Sequence, residues 1–307
     1  MSRTAYLGTS DFAARVLRTL ADSPHRPVLV VTPPDRPKGR GRRSSPPPAA
    51  ETARELGIEL LQTANVNEPD SLARLRAVSP DVVAVCAFGQ LIREPLLSET
   101  EMLNVHPSLL PRWRGAAPIE RAIMAGDEVT GVCVMRLTAG LDSGPVALCE
   151  EVEIHPGEGF GALAARLAEA GGRLLVEALD LRDRGELSFR DQDESAVTYA
   201  EKVTPEERRL SPTVAAADLE RRVRAFNPHV GTYLEGPDGD RLGVKAARAA
   251  AGAELAPGEL AVHEDRLLLG TADGALSLEV VQSPGGRALA AADWLRGNQP
   301  PGRVSVR

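Results

Sequence analysis

The chain is short of cysteine, of lysine and of long uncharged runs, and each shortage removes a class of protein. The longest stretch without Asp, Glu, Lys or Arg is Val82–Ile92, eleven residues, about half of the roughly 20 apolar residues a membrane-spanning helix requires. The opening residues, MSRTAYLGTSDF, lack the apolar core and small-residue cleavage site of a secretory leader, so an unprocessed, cytoplasmic protein is expected. The three cysteines, Cys86, Cys133 and Cys149, are odd in number, include no CxxC pair and each lie in an apolar, strand-like run. Buried reduced thiols are expected there, not a disulfide or a zinc site. No His or Cys pair has metal-ligand spacing, so no metal is expected. There is no GxSxG for a serine hydrolase. The single glycine of Gly8-Thr9-Ser10 does not make a GxGxxG dinucleotide loop.

Excess positive charge is also missing. The 307 residues carry a net charge of -7, which on a whole-chain count argues against a nucleic-acid partner. The distribution says more. Residues 1–205 hold 23 basic and 29 acidic side chains, and residues 206–307 hold 13 and 14, close to balance. Within the acidic first part, Arg36–Arg43 (RPKGRGRR) places five cations in eight residues with no acid. Such a run reads equally as a solvated loop or as a phosphate-contacting loop that orders on RNA. Lysine occurs only at 38, 202 and 245, a coding bias that makes arginine by itself uninformative.

With 43% apolar and 26% charged residues, the chain has globular composition and room for two domains. Its first part alternates short apolar runs with helical periodicity. Strands are expected at Thr4–Gly8, 27–32, 81–88, 102–106 and 129–137. Helices are expected from the Phe12, Val16, Leu20 repeat and over 67–78, 117–125 and 160–184. The run DVVAVCAF, 81–88, is apolar throughout, as a strand buried on both faces should be. This alternation predicts a mostly parallel sheet with helices on both faces. Residues 44–48 (SSPPP) cannot be regular helix, and residues 191–204 have little periodicity and read as a connection. Beyond them come a helix over 213–226 and five short strand segments separated by turn signals such as Gly236-Pro237-Asp238-Gly239. Five such strands fit a small, OB-like barrel.

The densest block is NVHPSLLPRWRGAAPIERAI, 104–123. Asn104 and His106 are two apart and face the same way on a strand that Pro107 ends. In open α/β sheets that carboxyl edge is where ligands bind. An amide beside an imidazole suits acyl transfer, the amide donating to a developing oxyanion and the imidazole moving a proton. Taken alone, the two residues are better explained as a turn-forming Asn and a packed His, since His155-Pro156 repeats the His-Pro step without catalytic surroundings. Asp142, in AGLDSG, could orient His106 or accept a proton through water, and alone it fits an Asx-turn aspartate better.

As a set, these segments resemble the methionyl-tRNA formyltransferase family of folate-dependent formyltransferases, over nearly the whole chain. The segments carrying the resemblance are YLGTSDFA, PDRPKGRGRR, VCAFGQLI, NVHPSLLPRWRGAAPIERAI, GLDSG, YAEKV, RAFNPHVGTYL, PGELAV and LEVVQSPGGRAL. Arg93, Ser143 and His229-Val230 depart from the family's usual residues. The resemblance implies a Rossmann-like mostly parallel sheet with helices on both faces and a C-terminal OB-like β-barrel. It divides the chain into a catalytic domain (1–190) with a basic insertion (34–48), a linker (191–206) and a tRNA-binding barrel (207–307). It implies transfer of formyl from 10-formyltetrahydrofolate to methionyl-initiator tRNA, with Asn104, His106 and Asp142 catalytic. Folate contacts are expected from Phe88, Gly89, Leu91, Ile92, Ser108, Leu109, Leu110 and Pro111. tRNA contacts are expected from Arg36, Lys38, Arg40, Arg42, Arg43 and Lys202, with Arg40 or Arg42 the main anchor. A monomer without metal or membrane contact is expected. Formylation of an amino-sugar nucleotide, hydrolysis of formyltetrahydrofolate and a non-enzymatic RNA-binding module are the alternatives.

Overall fold

The computed structural model describes residues 1–38, 43–252, 254–300 and 302–304, with Lys38 and Arg43 described as backbone. The chain divides into two units: Met1–Pro118, Val129–Glu153 and Ala164–Ala200 in the first, and Ile119–Glu128, Ile154–Leu163 and Glu201–Arg307 in the second.

Residues of the first unit begin with β1 (Thr4–Gly8), α1 (Asp11–Ala21) and β2 (Leu29–Thr32). Ser10 caps α1, its hydroxyl accepting from the Ala13 N–H at 3.3 Å. A two-stranded hairpin follows, β3 (Arg36–Lys38) and β4 (Arg43–Ser45), pairing Arg36 with Ser45 and Lys38 with Arg43. Then α2 (Pro48–Glu55) starts on the last proline of the Pro-rich stretch. A first-turn position has no intrahelical bond for its N–H to make, so proline is tolerated there although it would break the helix further in. β5 (Leu60–Gln62), α3 (Pro69–Ala77), β6 (Val82–Cys86), α4 (Leu96–Glu99), β7 (Glu101–His106) and β8 (Arg114–Gly115) come next. After α5 (Pro118–Ala125) come β9 (Val129–Arg136), β10 (Val146–Glu153), α6 (Phe160–Asp183) and β11 (Tyr199–Ala200).

Seven strands make the main sheet in the order β10-β9-β7-β6-β1-β2-β5. The pairs from β7 through β6, β1 and β2 to β5 are parallel, and β9 and β10 add antiparallel strands beyond β7. One face packs Ala5, Leu7, Val83, Val85 and Met102 against Leu72 and Leu75 of α3. The other meets α1 and α6: the Tyr6 hydroxyl donates to the Ala13 carbonyl at 2.7 Å, and Gly171 of α6 lies against Val105 and Val132. Side-chain alternation therefore puts Met102, Asn104 and His106 together on the α3 face.

The expectation of reduced thiols holds for Cys86 but is corrected for the other two cysteines. Cys133 and Cys149 stand opposite each other in the β9–β10 register, with Cα atoms 4.1 Å apart, and form a disulfide. Facing antiparallel residues lie about 4.5 Å apart when not hydrogen-bonded, so strand pairing alone brings the two sulfurs together. The pairing partner was invisible in the sequence because it is set by the register of β10 on β9, which no local pattern encodes. Cys86 is buried, and burial pushes its thiol up to about 12.

In the second unit, α7 (Ala216–Phe226) precedes β12 (Thr232–Glu235), β13 (Arg241–Ala250), β14 (Leu260–His263), β15 (Arg266–Gly270), β16 (Ala275–Gln282), β17 (Leu289–Ala290) and α8 (Ala291–Leu295). The strands form one antiparallel sheet ordered β12-β13-β16-β15-β14, with β17 on β16. Among the described residues its end strands, β12 and β14, are not paired to each other, and the expected C-terminal β domain is an antiparallel sheet. Leu219 and Val223 of α7 pack into its core with Leu267, Leu276, Leu278 and Trp294. α5 and the start of α6 group with this unit for visible reasons. His229 stacks on Phe160 at 3.7 Å and bonds Glu120 at 2.8 Å, and Arg121 pairs with Glu207. No helix among the described residues is long and apolar enough to cross a membrane.

Thiol titration checks the disulfide: the chain denatured without reductant should expose one thiol and, after reduction, three. Three thiols before reduction would contradict the pairing.

Candidate active site

The site begins where parallel strands stop. β6 ends at Cys86 and the neighbouring β7 runs on to His106, with Asn104 beside Val85 on one side and Met135 on the other. Asn104 and His106 thus stand at the carboxyl edge of the sheet, both nearly buried, at 8% and 4% exposure. A cleft of about 550 Å³ opens over them, within the range of small-molecule sites. Its walls are residues 85–92, the end of β7, residues 115–118 and the loop 137–142.

Trp113 and Asp142 hold the imidazole from two sides. His106 Nε2 lies 3.0 Å from the Trp113 carbonyl oxygen. A carbonyl only accepts, so Nε2 carries a proton, and in the neutral ring Nδ1 is the nitrogen free to accept one. Asp142 Oδ2 stands 3.7 Å from Nδ1, too long for a direct hydrogen bond and short enough for one small rotation or a bridging water. The same Oδ2 accepts the Gly115 N–H at 2.9 Å. Among the described residues no protein group takes up the Asn104 amide, which faces the cleft.

Local sequence explains how Asp142 arrives there. Asp142 adopts φ 45°, a left-handed conformation that aspartate tolerates better than most residues. Gly144 follows because a Cβ there would lie 1.9 Å from the Arg136 carbonyl oxygen. The segment 111–117 is clamped by residues 198–200. Trp113 N–H donates to the Thr198 hydroxyl at 2.9 Å, Arg114 N–H to the Thr198 carbonyl at 2.9 Å, and Ala116 N–H to the Ala200 carbonyl at 2.8 Å.

Of the residues expected to meet folate, Phe88, Gly89, Leu91 and Ile92 line the cleft, with Leu91 exposed at its mouth like Leu141. The Thr9 hydroxyl fixes this wall by donating to the Phe88 carbonyl at 2.5 Å. Ser108, Leu109, Leu110 and Pro111 are not brought to the cleft. Ser108 is fully buried and donates to the Arg112 carbonyl at 2.6 Å, Leu109 packs on Gly131, and Leu110 packs on Cys133, Met135 and Val146. After Pro107 the chain turns away from the cleft, so the residues that follow in sequence build its support and not its wall.

Arg36 is exposed on the β3–β4 hairpin, Lys38 and Arg43 belong to the same hairpin, and Arg40 and Arg42 lie outside the described residues. Lys202 is exposed in the second unit. Residues missed in the sequence are those acting through the main chain, the Trp113 carbonyl and the Gly115 N–H. Arg114 was missed too. It is buried, with its guanidinium on Gln192 at 2.9 Å and on Glu194 at 2.7 Å. The hydrogen bond from Arg114 holds the Glu194 carboxyl below the usual carboxylate range. Among the described residues no group of three or more His, Cys, Asp or Glu side chains is placed to hold a metal.

A family model described as formyl transferase matches residues 2–179, and one described as formyl transferase, C-terminal domain, matches residues 202–299. The chain therefore belongs to the formyl transferase family. Within it, methionyl-tRNA formyltransferases from Halorhodospira halophila and Phenylobacterium zucineum are each 41% identical to this chain, over 302 and 308 residues, covering 97% and 99% of both chains. The resemblance read from the sequence is borne out. Among solved structures, HypX from Aquifex aeolicus in complex with tetrahydrofolic acid matches 96% of this chain with a TM-score of 0.65 and 18% identity. That likeness is one of fold, and the chain spans only 47% of HypX. Glycinamide ribonucleotide transformylase 1 from Symbiobacterium toebii, 26% identical, matches 63% of this chain and 95% of its own with a TM-score of 0.52.

Because Gly144 has no room for a side chain, Gly144→Ala should destabilise the fold by about 1–3 kcal/mol, as overpacking does. Denaturant unfolding measures it, and unchanged stability would contradict the loop geometry.

Proposed function

We propose that the chain transfers the formyl group of 10-formyltetrahydrofolate to the α-amine of methionyl-initiator tRNA in the cytoplasm. The observation that carries this reading is the meeting of Asn104, His106 and Asp142 at one cleft of a formyl transferase-family fold. The full-length likeness to methionyl-tRNA formyltransferases supports the acceptor.

In this reading the reduced folate lies along residues 85–92 and 137–142, with Phe88, Gly89, Leu91 and Ile92 as contacts. The neutral amine attacks the formyl carbon. The Asn104 amide donates to the oxygen as it becomes negative, in a cleft where water competes little. The amine proton passes to Asp142, directly or through a water, with the Gly115 N–H stabilising the carboxylate. The bond from the formyl carbon to the folate nitrogen then breaks, and that nitrogen takes a proton by way of His106. His106 Nδ1 suits this relay because the Trp113 carbonyl occupies Nε2. Arg36, Lys38, Arg40, Arg42, Arg43 and Lys202 supply positive charge for the RNA phosphates.

Asn104→Ala should lower kcat by ~10²–10³, the usual loss for one oxyanion donor, with folding unchanged. A loss below tenfold in a correctly folded variant would remove Asn104 from the mechanism. The acceptor is decided by assaying charged initiator tRNA, charged elongator tRNA and an amino-sugar nucleotide side by side. Initiator tRNA should be formylated fastest, whereas rapid deformylation of the folate without any acceptor would mark a hydrolase. Replacing residues 36–43 by a neutral linker should weaken tRNA binding and flatten its salt dependence, since each phosphate contact releases counterions. Unchanged affinity and slope would sink the hairpin's role.

A further inference from the structure

The proposed mechanism does not use Gln192, which lies in the aperiodic connection after α6, yet this side chain joins the two loops that flank His106. Its amide nitrogen donates to the Asp142 carbonyl at 2.8 Å and to the Gly144 carbonyl at 2.8 Å. Its amide oxygen accepts from Arg114 Nε at 2.9 Å. Both amide hydrogens and the oxygen are thereby engaged, which fixes the orientation of the group: the oxygen must face the guanidinium and the nitrogen the two carbonyls. Arg114 is itself buried, 2% exposed, and paired on its far side with Glu194.

We propose that Gln192 is a positioning residue that sets the height of the Asp142 carboxylate over His106. The backbone of Asp142 is in the left-handed region, φ 45°, where a non-glycine residue persists only if its surroundings hold it. The Gln192 amide grips the carbonyl of that residue and the carbonyl two positions on. The carboxylate end is held by the Gly115 N–H, and Gly115 directly follows Arg114, the other partner of Gln192. One amide thus spans the distance between the loop that carries the carboxylate and the segment whose main chain anchors both the carboxylate and, through Trp113, the imidazole. With the amide removed, Asp142 can relax toward ordinary backbone angles, and Oδ2 leaves its place 3.7 Å from Nδ1.

The inference rests on the formyl-transfer reading for its kinetic consequence but not for its geometry, and the test separates the two. Gln192→Glu keeps an acceptor for Arg114 and replaces both donors with an oxygen that repels the two carbonyls. Gln192→Ala removes everything. If the role is to hold Asp142, both variants should lower kcat for formyl transfer by ~10–100-fold, the loss typical of a misplacement of about 1 Å. The Glu variant should lose less thermal stability than Gln192→Ala, because an acceptor for Arg114 remains. In an Asp142→Asn background either change should add less than about threefold, as expected of residues acting as a unit. Amide exchange at Gly115 reads the same coupling with no substrate present and should quicken in both variants. Wild-type kcat in Gln192→Glu, an undiminished loss in the Asp142→Asn background, or unaltered exchange at Gly115 would each overturn the proposal. Quickened exchange in a chain whose wild type forms no formyl-tRNA would overturn the functional reading and leave the positioning role standing.

Discussion

The Asp142 carboxylate, clasped by the Gly115 N–H and set close to the His106 ring, is the constraint on which the rest of the site depends. Neither group can be placed by its own secondary structure. His106 ends a strand, and Asp142 sits in a loop whose backbone is unfavourable for most residues. Their meeting requires β9 to lie beside β7, so that the loop leaving β9 returns over the strand edge. It also requires the segment 111–117 to be pinned by residues 198–200. The antiparallel β9 and β10, which depart from a purely parallel sheet, are therefore what bring the carboxylate home.

The cleft divides its work between rigid and adaptable walls. Strand ends and the buried Phe88 and Ile92 give one side a fixed shape, and Leu91 and Leu141 leave apolar surface exposed at the mouth. Exposed apolar side chains at a cleft rim are suited to covering a flat aromatic ligand. Among the described residues no lysine or arginine lines this cleft, and five of the chain's cations fall within residues 36–43 of the sequence.

Much of this was legible in the sequence, and unevenly so. The buried strands β1, β6 and β7 and the helix α6 announce themselves because apolar runs and helical periodicity survive burial on both faces. The pairing of Asn104 with His106 on one face follows from strand alternation alone. What escaped were features set by long-range contact. The disulfide depends on a register between β9 and β10 that no local pattern encodes. The grouping of α5 with the C-terminal residues depends on His229 and Glu207 meeting a helix about a hundred positions earlier. Ser108 to Pro111 adjoin β7 in sequence, but the chain has turned from the cleft by then. Gln192 lies in a stretch without periodicity, where a side chain bonding main chain from two loops leaves no signature.

The most direct test is a crystal structure with a formylated reduced folate bound. The account predicts the ligand in the cleft between residues 85–92 and 137–142, with its formyl oxygen ~3 Å from the Asn104 amide, the distance an oxyanion donor requires. A folate bound elsewhere, or with its formyl group turned away from Asn104, His106 and Asp142, would contradict it.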